Sequence, residues 1–110
     1  MEIASILIST KKLLGYEEAF TQFDPDMVIH INSALMNLTQ LGVGPPDGFI
    51  IEDATAVWED FLGDRKDLSG VKSYIYLKLR LIFDPPQTGV LIDAIKEQIQ
   101  EFEWRLNIQV

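Results

Sequence analysis

Apolar and polar positions along this chain alternate mainly with a helical period. Ile3, Ile6, Leu7, Thr10, Leu13 and Leu14 share one arc, and Gly15 follows where a left-handed residue ends a helix. Lys11 and Lys12 fall in the last turn, complementing the negative end of the dipole. Asp24-Pro25 reads as a second start, with a carboxylate to cap free N–H groups and a proline whose missing donor costs nothing in a first turn. From there Met27, Val28, Ile31, Ala34, Leu35, Leu38 and Leu41 form one stripe, and Gly42 closes it. Ile29 and Met36 lie together on the opposite, polar side. They are either ordinary exposed hydrophobes or a contact with another subunit.

Gly42 to Asp53, GVGPPDGFIIED, is rich in turn formers and cannot be helical through Pro45-Pro46. A loop therefore projects there, and Phe49-Ile50-Ile51 either pairs as a short strand or docks on a neighbour. Thr55 is placed to cap a short helix through Leu62, with Trp58, Phe61 and Leu62 inward and Gly63 at its end. Asp64-Arg65-Lys66-Asp67 reads as a charged turn. Val71 to Phe83 fits two patterns, a half-buried strand by alternation or a helix apolar nearly all round and interrupted by Lys72, Lys78 and Arg80. Its length and its Leu, Lys and Arg content favour a central buried helix. Asp84-Pro85-Pro86 must stop it. A last helix begins near Thr88, where Ile92, Ile95, Ile99, Phe102 and Leu106 recur at spacings of three and four. Glu101 and Arg105 pair across one turn of it, Trp104 falls on its polar face, and Ile108-Gln109-Val110 forms a short apolar tail. These patterns predict a mainly α fold, a small bundle of about four helices with a projecting loop and room for one short strand or hairpin, in a single domain over residues 1–110.

Composition narrows the functions open to such a bundle. At 110 residues, 47% of them hydrophobic, the helices carry more apolar surface than a lone small domain readily covers, which points to a part of an assembly. The net charge of −8 is uneven: no Lys or Arg lies between Lys12 and Arg65, an interval holding ten acids, Asp47, Glu52 and Asp53 among them. Such a surface does not grip nucleic acid, although an acidic wall would repel DNA and let it slide past. The absence of cysteine excludes disulfides, thiolate nucleophiles and zinc–thiolate sites. An acid at position 2 in place of a basic n-region, and no apolar run long enough to span a membrane, lead to an expectation of cytoplasmic residence. Chemistry is sparse. His30 is the single histidine and has no nucleophile beside it in sequence. Asp24 with Asp26, Glu52 with Asp53 and Glu59 with Asp60 match no metal-loop spacing, and Gly42-Val43-Gly44-Pro45 has proline where a phosphate cradle needs N–H donors. The expectation is a non-enzyme with no catalytic, cofactor or metal site.

Five segments in register, ILISTKKLLG (Ile6 to Gly15), LTQLGVG (Leu38 to Gly44), DFLGD (Asp60 to Asp64), VKSYIYLKLRLIFDPP (Val71 to Pro86) and LIDAIKEQIQEFEWRLN (Leu91 to Asn107), resemble the phage head-tail connector proteins, the small adaptor or head-completion subunits beneath the portal. The resemblance implies a mostly helical subunit and resolves Val71 to Phe83 as helix. It further implies a homo-oligomeric ring around the DNA channel, one rim on the portal protein and the other toward the stopper or tail-completion protein, in a virion assembled in the host cytoplasm. DNA would pass without sequence-specific binding, and no membrane is involved. Ranked by apolarity, the candidate contacts are Ile29, Met36, Phe49, Ile50, Ile51, Trp104, Ile108 and Val110; Asp47, Glu52 and Asp53 are candidates for the channel wall. The rival reading is a cytoplasmic regulatory module dimerising through the Ile92 to Leu106 stripe.

Overall fold

The local signals act largely where the sequence places them. In the computed structural model, which describes residues 5–63 and 68–108, Ser5 caps α1 (Ile6–Leu13) by accepting the Ile8 N–H at 3.2 Å. The helix closes as a Schellman turn: Gly15, at φ 91°, donates to Lys12, and Tyr16 donates to the Lys11 carbonyl. The same device ends α2 (Asp24–Gln40), where Gly42 at φ 90° donates to Thr39 and Val43 donates to Leu38. Turning the chain there buries Val43 completely. Helix α3 (Trp58–Leu62) starts at Val57, whose N–H is accepted by the Asp60 carboxylate, and stops at Gly63. Helix α4 (Leu68–Phe83) runs into Asp84-Pro85-Pro86, and α5 (Gly89–Ile108) opens with the Thr88 hydroxyl accepting the Leu91 N–H.

Three local expectations are corrected. Asp24 caps nothing: Phe23 is the N-cap residue of α2 and Asp24 is already helical, its carboxylate 3.0 Å from Lys11 Nζ. Thr55 is not the cap of α3, since its N–H and hydroxyl are both turned to Asp53. No strand forms at Phe49-Ile50-Ile51, and among the described residues the only β feature is an isolated bridge between Ser5 and Val57. The reason is Asn32 on α2, whose side-chain amide donates to the Ile51 carbonyl at 2.9 Å and accepts its N–H at 2.7 Å, taking both backbone groups that a strand partner would use. Ile3, the Asp64 to Asp67 turn, Val110 and the side chain of Ile108 lie outside the described residues.

Helix α4 is the axis of the packing, in contact with α1, α2 and α5. Val71, Tyr74, Ile75, Leu77 and Leu79 are all buried, spread over more than half its circumference. Its two lysines are accommodated along its flanks, Lys72 over the Trp58 ring and Lys78 over the Tyr74 ring. On one side it meets the α2 stripe of Met27, Ile31, Ala34, Leu35 and Leu38. On another it meets Ile95, Ile99 and Leu106 of α5. The Tyr74 hydroxyl donates to Glu103 at 2.7 Å, so burial and that carboxylate push the phenol well above its ordinary range. Asn107 donates to the Leu41 carbonyl, fastening the end of α5 to the end of α2.

Helix α1 is turned slightly from its sequence-predicted register. Leu13 is exposed, while Lys11 is buried and donates to the Glu18 carbonyl at 2.9 Å as well as pairing with Asp24. That ammonium ties α1, the connecting loop and the start of α2 together, and a buried charge with two such partners avoids the penalty an unpaired one would carry.

Gly44 and Gly48 both hold positive φ, but a Cβ on Gly44 would overlap the Phe61 ring whereas one on Gly48 would meet open space. Gly44→Ala is therefore expected to lose about 1–3 kcal/mol more stability than Gly48→Ala in urea unfolding, the difference isolating the ring overlap from the shared backbone strain.

Candidate functional site

Because α2 buries one stripe against α4, its opposite side faces outward. Ile29 and Met36, each 61% exposed, stand on that outer side about two turns apart. The segment after Gly48 is held across the same helix by Asn32, and Phe49 is anchored by packing against Phe61 with ring centroids 5.4 Å apart. Fixed in this way, the segment presents Ile50, 67% exposed. The result is a groove of about 220 Å³ with Ile29, Met36, Phe49 and Ile50 among its walls, and no charged side chain lining it. Two patches that the sequence keeps separate thus form one surface. Ile51 does not belong to it: it is 2% exposed and part of the core, because successive residues of an extended segment point to opposite sides.

The acidic candidates divide between two places. Asp47 is exposed at the loop tip beside Gly48, next to the groove. Glu52 and Asp53 border a second, wider hollow with Leu7, Asp24, Pro25 and Val28. Asp53 accepts from the Thr55 N–H and hydroxyl, and these bonds hold its carboxyl below the usual range. Asp24 is paired with Lys11, so the outward charge of the hollow comes from Glu52 and Asp53. Among the described residues no three His, Asp or Glu side chains are grouped to hold a metal ion. His30 packs edge-on against Phe83 at 5.6 Å, a contact between two half-buried rings. No helix of the described residues is long and apolar enough to cross a membrane.

Trp104 stands on the side of α5 away from α4 and is 65% exposed, next to Arg105, which pairs with Glu101. A further exposed apolar set escapes the sequence reading: Leu13, Phe20, Ile82, Val90 and Leu91. Phe20 belongs to a cluster with Tyr16, Phe23, His30 and Phe83 that joins the start of α2 to the end of α4, Leu13 ends α1, and Ile82, Val90 and Leu91 flank the α4–α5 corner. Their signal was present as apolar residues out of phase with the stripes, Val90 and Leu91 ahead of Ile92 and Ile82 beside Phe83.

The family model described as phage connector protein matches residues 6–110, spanning all five helices of the described structure. The chain belongs to the phage connector protein family. That makes it a structural component of a phage particle. No curated protein and no solved structure matches it.

The division between groove and core is measurable. Ile51→Ala is expected to cost about 2–4 kcal/mol of unfolding free energy. Ile50→Ala, one residue away, should change it by no more than about 0.5 kcal/mol. Comparable losses at the two positions would mean that the segment sits in a different register.

Proposed function

We propose that the protein is a ring-forming head-tail connector subunit that docks on the portal and joins the DNA-filled head to the tail. Family membership over nearly the whole chain carries this reading. The physical support is the set of large apolar side chains left more than half exposed, Ile82, Val90, Leu91 and Trp104 among them. These residues are spread over the outer side of α2, the corner between α4 and α5, and the outer side of α5. Exposed apolar groups spread over several elements suit head-to-tail association, which propagates until a ring closes. In this reading the corner residues and Trp104 serve sibling subunits and the portal, with the portal supplying the symmetry to copy.

The rival module would need the Ile92 to Leu106 stripe free for dimerisation. That stripe is occupied within the chain, with Ile95, Ile99 and Leu106 buried against α4. Glu52 and Asp53 supply the acidic wall in the connector reading, repelling DNA phosphates in the lumen so that the duplex passes without adhering. Function then lies in geometry and charge, and the subunit enters the virion from the host cytoplasm during assembly.

Electron microscopy of the purified protein with and without portal is the direct test. Rings that form on, or are greatly promoted by, the portal are the expected result; a particle that stays monomeric on portal vertices at high concentration would end the proposal. In assembled particles, Glu52→Lys with Asp53→Lys is expected to slow DNA ejection while ring formation persists. Unchanged ejection in that variant would remove these two residues from the channel wall.

A further inference from the structure

We infer that the groove between α2 and the Gly48–Ile50 segment is a docking site for a basic amphipathic segment of a different protein, with apolar side chains on one edge and Lys or Arg on its flanks. The inference deepens the connector reading by assigning a partner chemistry to one surface, and it stands on charge and shape at the groove. The walls of Ile29, Met36, Phe49 and Ile50 ask for apolar side chains. The surroundings ask for positive charge. Asp47 flanks the loop side of the groove, and Asp26 lies on the same face of α2 as Ile29 and Ser33, about one turn before Ile29; both are exposed. From Leu13 to Gly63 the chain contains no Lys or Arg to balance them.

The same charges disfavour a second copy as occupant. Val90 and Leu91 are closely followed by Asp93 and Phe20 follows Glu17 and Glu18, so each of these would bring acid against acid, while Trp104 lies beside the Glu101–Arg105 pair, whose charges cancel. Leu13 has a base beside it in Lys12, but one leucine does not fill a groove walled by four large apolar residues. The groove is also built in advance, since Asn32 holds the Ile51 backbone at both polar groups and Phe49 is pinned on Phe61, and docking therefore requires little further ordering of this chain.

The test uses a synthetic leucine–lysine amphipathic helix as the probe and its leucine–glutamate counterpart as the control, with affinity read by calorimetry on the full chain. The lysine peptide is expected to bind and the glutamate peptide not to. Ile29→Asn combined with Met36→Gln and Ile50→Gln should weaken binding by about tenfold or more, equivalent to about 1.4 kcal/mol. Asp26→Asn with Asp47→Asn should weaken it and flatten its salt dependence. All five positions are exposed, and matching thermal melts confirm that each variant is folded. Equal binding by the triple variant, or equal binding of the two peptides, overturns the inference. Ring formation on the portal, measured for the same triple variant, separates this inference from the connector reading. Intact rings with lost peptide binding support it, whereas loss of rings assigns the groove to a second copy and overturns it while leaving the connector function in place.

Discussion

Helix α4 imposes the constraint that the rest of the molecule satisfies. A helix whose buried residues cover more than half its circumference cannot rest on a surface, because any side left to water would expose aliphatic area worth roughly 1.5–3 kcal/mol per large side chain. It therefore needs cover on several sides, and α1, α2 and α5 supply it. The order of the chain makes this possible. Asp84-Pro85-Pro86 folds α5 back along α4, and the two Schellman turns at Gly15 and Gly42 reverse the chain at the ends of α1 and α2.

Covering α4 leaves the covering helices with outer faces of their own. The outer side of α2 becomes one wall of a groove because Asn32 captures the backbone of Ile51 and holds the following wall beside it. The outer side of α5 carries Trp104, and the corner between α4 and α5 carries Ile82, Val90 and Leu91. These faces give a small domain a contact surface without weakening its core, since the residues that build the core and those that face outward lie on different sides of the same helices. Membership of the phage connector family and this distribution of surface agree: both describe a part that works by fitting against others.

Charge is distributed with comparable consequence. Lys72 and Lys78 of α4 lie over aromatic rings, Lys11 is buried against Asp24, and every Asp, Glu, Lys or Arg from Leu13 to Gly63 is an acid. The groove is therefore apolar inside and negative around its edge, while the neighbouring hollow is negative through Glu52 and Asp53. Two concavities along α2 thus differ in character, one walled by apolar side chains and the other bordered by carboxylates.

How much of this was legible in the sequence follows from the range of the interaction involved. The other helix positions, the stops at Gly15, Gly42, Gly63 and the prolines, and the buried stripes rest on local periodicity and turn chemistry, which act over a few residues and are written in order along the chain, whereas periodicity alone left Val71 to Phe83 between strand and helix until length, composition and the family resemblance favoured helix. The union of Ile29 and Met36 with Phe49 and Ile50 was not legible, because it depends on a hydrogen-bonded pair nineteen residues apart. Nor was the inward turn of Lys11 and the outward turn of Leu13, which rest on where Asp24 arrives in space. Ile51 looked like its neighbours Phe49 and Ile50 until the tertiary structure put it on the buried side. The sequence determined which segments would be helices and which faces would be apolar; only the fold decided which apolar residues share a surface, because that depends on contacts between segments distant along the chain.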